Sequence, residues 1–157
     1  MNAEFSECGQ YRYILRRNLN SILRWHRPIL FIMLNPSTAD EVQDDPTIRR
    51  CISFAKREGY TYMTVVNLFA LRATNPKELL SHPDPVGPLN DQRIKEMIDE
   101  HKNGAVVAAW GAHPFAKKRA EEVKKKFGPF LCLGTSKNGS PRHPLYLKLD
   151  QPFLELI

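Results

Sequence analysis

A chain of 157 residues with 42% hydrophobic content is long enough for one domain, residues 1–157, that buries a core without disulfides or a structural metal. Lysine and arginine outnumber the acids 23 to 17, and the resulting charge of +6 suits an anionic partner such as DNA, RNA or nucleotides. Cys8, Cys51 and Cys132 show neither Cys-x-x-Cys nor Cys/His ligand spacing, which argues against a disulfide framework and a zinc or iron–sulfur site, and no run approaches the roughly 20 apolar residues of a membrane span, so a cytoplasmic, membrane-free chain is expected.

Tyr11 to Leu19 mixes aromatic and β-branched residues with charges, as an exposed edge strand or hairpin arm does. Ile29 to Leu34 is an unbroken apolar run, which fits a strand covered on both faces as in a parallel sheet. Pro36 then takes the chain out of the sheet, because it withholds a backbone donor and restricts Asn35. Loops at the carboxyl ends of parallel strands are where open α/β sheets hold ligands, so Asn35, Ser37, Thr38 and Asp40 stand where chemistry is expected. The same residues also fit plain turn and capping chemistry.

Asp45-Pro46 reads as an N-cap followed by proline at the first helical position; Asp45 is taken first as a cap, and with Asp40 and Asp44 it forms the one group of carboxylates that could gather a magnesium ion with help from a phosphate. Ile48, Cys51, Ile52 and Ala55 recur at helical spacing, and Gly59 ends the helix. Tyr62 to Phe69 is a second core strand with Asn67 near its carboxyl end, where a buried amide needs a backbone or ligand partner. Residues 70–88 carry four prolines and are long for a connection, as lids and binding loops are. Asn90 is expected to cap a helix with Ile94, Met97, Ile98 and His101 inward, His101 being packing or C-terminal dipole chemistry.

Ala105 to Trp110 supplies a third buried strand ending at Gly111, and His113-Pro114 opens a helix with Ala116, Ala120, Val123 and Phe127 inward. Its outward lysines Lys117, Lys118, Lys124 and Lys125 are either a solvated face or a nucleic-acid contact. Pro129 to Gly134 is a short fourth strand leading into the basic loop from Thr135 to His143. Strands alternating with amphipathic helices predict a three-layer α/β/α sandwich around a mostly parallel four-stranded sheet, with an N-terminal edge strand or hairpin. Right-handed crossovers put the strand ends on one rim, so Asn35, Asn67, Gly111 and His143 should converge there.

The runs Asn35-Pro36-Ser37-Thr38-Ala39-Asp40, Asp44 to Arg50, Val65 to Thr74, Asp84 to Asp91, Ala108 to Gly111 and His143 to Leu147 resemble, over nearly the whole chain, a family of small bacterial and phage proteins catalogued as a domain of unknown function. A more distant likeness is to the uracil-DNA glycosylase superfamily. Leu34-Asn35-Pro36-Ser37 is similar to that superfamily's first motif, Val65-Val66-Asn67 to its base-reading strand, Ala109-Trp110-Gly111 to its Leu-Trp-Gly strand end, and His143-Pro144-Leu145-Tyr146 to its closing histidine loop. Met33 replaces the glycine of the first motif, Ser37 stands where tyrosine or glycine is usual, and no aspartate occupies the activating position.

This resemblance implies hydrolysis of an N-glycosidic bond on a base taken out of its stack, with uracil itself, a modified base or a free nucleotide all open. It implies that Asn35 orients the attacking water, Asn67 reads the base edge, and His143 stabilises charge on the departing base. Asp40 is the candidate general base, with Pro36, Ser37, Trp110 and Gly111 shaping the pocket. Lys137, Ser140 and Arg142 are candidates for holding phosphates, and Leu145 or Tyr146 for the wedge that fills the vacated stack. The expected partner is single- or double-stranded DNA or a nucleotide, bound by a monomer without metal or cofactor. The alternatives are a non-catalytic nucleic-acid-binding module of the same fold and an enzyme acting on free nucleotides or nucleosides.

Overall fold

The computed structural model describes residues 2–19, 22 and 25–157, and they form a mixed α/β fold. The strands are β1 (Ala3–Phe5), β2 (Arg12–Asn18), β3 (Pro28–Met33), β4 (Tyr62–Asn67), β5 (Ala105–Ala108), β6 (Leu131–Cys132) and β7 (Leu154–Glu155). The helices are α1 (Pro46–Arg57), α2 (Glu78–Ser81), α3 (Asn90–Glu100) and α4 (Lys117–Phe127), with 3-10 turns at Pro114–Ala116 and Pro144–Tyr146.

Where four central strands and an N-terminal edge strand or hairpin are expected, the sheet has seven strands among the described residues, in the order β1-β2-β4-β3-β5-β6-β7. β3 runs parallel with β4 and β5, and β5 with β6. The pairings β1 with β2, β2 with β4, and β6 with β7 are antiparallel, which makes the sheet mixed. The stretch expected as an exposed edge is instead β2, an interior strand between β1 and β4 whose first four residues are buried. Charge in that segment misleads, because the Arg12 guanidinium is carried inward and donates to the carbonyl of Ala39 (2.8 Å). The expected strand at 129–134 shortens to two residues.

Helices cover both faces, following the strict alternation of side chains along strands. Leu30, Ile32, Val66 and Ala108 pack with Ile94 and Met97 of α3 and Ala120 and Val123 of α4. Ile29, Phe31, Met33, Met63, Val65 and Val107 face the other way, onto Ile48, Cys51, Phe54 and Ala55 of α1. Two apolar layers explain why β3 shows no polar alternation: all six of its residues are buried.

α1 starts as expected, Asp45 accepting the Ile48 N–H (2.8 Å) ahead of Pro46, and Gly59 (φ 78°) follows its end. Asn90 differs: it is the first residue of α3, and its Nδ2 donates to the carbonyls of Asn67 (2.9 Å) and Leu68 (3.1 Å). Arg119 of α4 adds its Nε–H to Leu68 O (2.9 Å) and an ion pair to Asp91 (2.6 Å). Three donors thus fix the backbone at the carboxyl end of β4. His101 is buried with its Nδ1 on the carbonyl of Met97 (2.6 Å), which agrees with a packing role. At the opposite rim, a Cβ on Gly104 would overlap the backbone carbonyl of Pro28, so β5 begins pressed against β3. Among the described residues no helix is long and apolar enough to cross a membrane.

Candidate functional site

The carboxyl ends of β3, β4 and β5 open into a cavity of about 500 Å³. Asn35, Ser37, Asn67, Trp110, Gly111, His143, Leu145 and Tyr146 all line it, so the residues expected to converge do so.

Asn35 follows β3, and its side chain is held by the adjoining loops. Its Nδ2 donates to Pro36 O (3.0 Å) and Ala73 O (2.8 Å), and the Ala73 N–H returns a bond to Pro36 O (3.0 Å). Both amide hydrogens are therefore committed, and Oδ1 is left as the acceptor this residue can offer. Pro36 itself is buried and serves as the hub of that clamp rather than as cavity wall.

Asn67 ends β4 and is 1% exposed, yet neither its Oδ1 nor its Nδ2 has a partner among the described residues. Its side chain continues the face of Met63 and Val65, toward α1. A buried carboxamide with neither donor nor acceptor met costs about 1–3 kcal/mol per unmet group.

Gly111 turns the chain after β5 with φ 80°, a conformation that favours glycine, and its N–H reaches Pro141 O (3.0 Å). A methyl there would stand 3.6 Å from the Cβ of His143. Trp110 is buried edge-on against Phe130 (6.2 Å between centroids) and walls the cavity from the core side. His143 precedes the 3-10 turn Pro144–Tyr146, and its Nδ1 accepts the Leu145 N–H (3.2 Å). The neutral ring consequently carries its proton on Nε2. Burial pushes its pKa below the usual 6.5, and neighbouring His113 pushes the same way. His143 is thus a neutral Nε2–H donor near pH 7. Tyr146 is 90% exposed at the cavity mouth, beside Leu145.

Asp40 does not reach the cavity. Its Oδ1 accepts the N–H groups of Val42 (2.9 Å) and Gln43 (2.7 Å), which hold its pKa below the usual carboxylate range and make it a turn-forming residue. The carboxylate in the cavity wall is Asp45, expected first as a cap; it is both, with Oδ1 on the Ile48 N–H. Lys137 and Arg142 are exposed and lie outside the cavity, and Ser140 lines an adjoining one of about 240 Å³ that shares Trp110, Gly111 and His113. The loop that bears them folds on itself through Ser136, Asn138 and Gly139 and does not turn its basic groups toward the main cavity.

Sequence reasoning missed Arg12, which lines the cavity from β2. Burial pushes its pKa down to about 10, and Nε has no partner among the described residues. No spacing in the chain marks it, since its position depends on β2 joining β4. Thr74 and Pro76 also line the cavity, and the proline-rich connection was their only signal.

Fold and site together define a mixed α/β domain with a ligand-sized cavity at the carboxyl edge of its sheet. The chain belongs to the family described as Protein of unknown function (DUF1643), whose model matches residues 12–145. Comparison with curated proteins and with solved structures gives no match.

Proposed function

We propose that the cavity receives a nucleobase taken out of its stack and that the protein hydrolyses the bond between that base and its sugar. The observation that carries this reading is Asn67, a fully buried amide in the cavity wall whose donor and acceptor are both unmet among the described residues. A base edge offers the complementary acceptor and donor side by side, whereas an apolar ligand would leave both groups unpaired. The similarity of the Asn35, Asn67, Gly111 and His143 segments to the uracil-DNA glycosylase superfamily lends separate support.

In this reading the Asn35 Oδ1 orients a water and Asp45, in place of Asp40, takes a proton from it. The water oxygen bonds to the sugar C1′ as the C1′–N bond breaks, and the electron pair leaves with the base. The His143 Nε2–H donates to the negative charge growing on that base, a preorganised contact worth a few kcal/mol in a dry site. Leu145 and Tyr146, beside the mouth, are placed to fill the stack left behind. DNA, single- or double-stranded, is the proposed substrate polymer, and the charge of +6 favours it.

The test is a panel of oligonucleotides with modified bases, read for abasic sites. His143→Ala should lower the rate of release by about a hundredfold while binding persists. Binding without release across the panel would identify a recognition module instead. Release by His143→Ala at the native rate would sink the assignment.

A further inference from the structure

Arg12 poses a question that a general base pocket does not answer. Arg12 is 2% exposed, its Nη1 is satisfied by Ala39 O (2.8 Å), and its Nε has no partner among the described residues. None of the ion pairs among the described residues includes it. Of its charged neighbours Asp45 favours the cation, whereas Arg72 and Arg17 oppose it. Arg17 is itself matched by Asp44 (2.7 Å), and the Asp45 carboxylate is engaged by the Ile48 N–H. The guanidinium is therefore buried in the cavity wall with Asp45 as its nearby counter-charge but with no direct ion pair, and its Nε–H is left unmet among the described residues. Buried cations are expensive unless paired, and guanidinium groups are suited to oxyanions through directed, charge-assisted hydrogen bonds.

We infer that Arg12 is a specificity-determining residue and that the base accepted by this cavity carries a negative charge of its own, as an ionised ring or an acidic substituent. The inference rests on the base-pocket reading above. Asn67 would meet a neutral donor–acceptor edge, and Arg12, from the neighbouring strand β2, would meet the anionic oxygen. Such a base is a poor leaving group, because cleavage places a second electron pair on a ring system that is already negative. A buried guanidinium offsets that accumulation and gives the cavity a reason to keep its cation.

The experiment uses the intact protein and free bases in matched pairs, with affinity measured by calorimetry. 5-Carboxyuracil is compared with neutral 5-carbamoyluracil, and urate with hypoxanthine. The charged member of at least one pair should bind about tenfold tighter, a difference of about 1.4 kcal/mol. Preference confined to the first pair assigns the charge to a substituent, and preference confined to the second assigns it to the ring. Arg12→Met should abolish the preference, so that the charged and neutral members of each pair bind alike; Arg12→Gln serves should the first variant not fold. Equal binding of charged and neutral members, or a preference that survives loss of the guanidinium, overturns the inference and leaves the base pocket standing. Failure of all four bases to bind removes the base-pocket reading and this inference with it.

Discussion

In the proposed function, Asn67 links stability to recognition at the scale of one side chain. A leucine of similar size would fill the same space without unmet polar atoms, so Asn67→Leu should raise the unfolding free energy by about 1 kcal/mol and abolish base release. Thermal melts and the abasic-site assay together check this, and a fall in both quantities would show that the amide has a structural partner instead. The histidines supply a second prediction. Burial holds His101 and His143 below the usual 6.5, so the unfolded chain binds protons that the folded chain refuses. Stability is accordingly level above pH 6.5 and declines as pH falls through that value toward the folded pKa of each ring. Melting points between pH 8 and 5 should follow this curve, and His101→Gln should flatten it.

Among the elements, α1 has two duties at its first turn. Asp45 caps the helix and also lines the cavity, and two substitutions separate these. Asparagine caps about as well as aspartate, so Asp45→Asn should keep the melting point near that of the native protein while the rate of release collapses. Asp45→Ala should lose the rate and, in addition, about 0.5–2 kcal/mol of stability. The comparison of melts and rates isolates the carboxylate from its capping bond. A rate that survives in Asp45→Asn would return the proton-acceptor role to solvent or to another group. α1 also shows where reading by pattern stops: its cap, proline and apolar spacing were all local signals, but its nearness to the Asn67 amide depends on how the strands are ordered.

At the scale of the molecule, the elements that build the rim were legible because each carries its own punctuation. Apolar β3 stops at Asn35-Pro36, β4 ends on a polar Asn67, and Gly111 stands after Trp110. Their convergence followed from parallel strand ends sharing one side. The antiparallel additions were not legible, since β1 and β7 are short and β2 resembles an exposed strand in its charges. Arg12 was lost with them: an arginine between two tyrosines is read as solvated, and only pairing of β2 with β4 carries it into the cavity wall. Asp40 was preferred to Asp45 because it lies nearer the Asn35 motif in the chain, although its carboxylate is spent on its own turn.

The crowding of Gly104 on Pro28, at the rim away from the cavity, offers a route to a conditional variant. An added methyl would force the starts of two central strands apart and leave every group around the ligand chemically intact. Gly104→Ala should therefore behave as a temperature-sensitive allele: normal specific activity per folded molecule in the cold, and rapid loss of folded protein on modest warming. Folded fraction at two temperatures and the melting point would reveal it, and would give genetics a switch for this protein that leaves its cavity-bearing edge untouched.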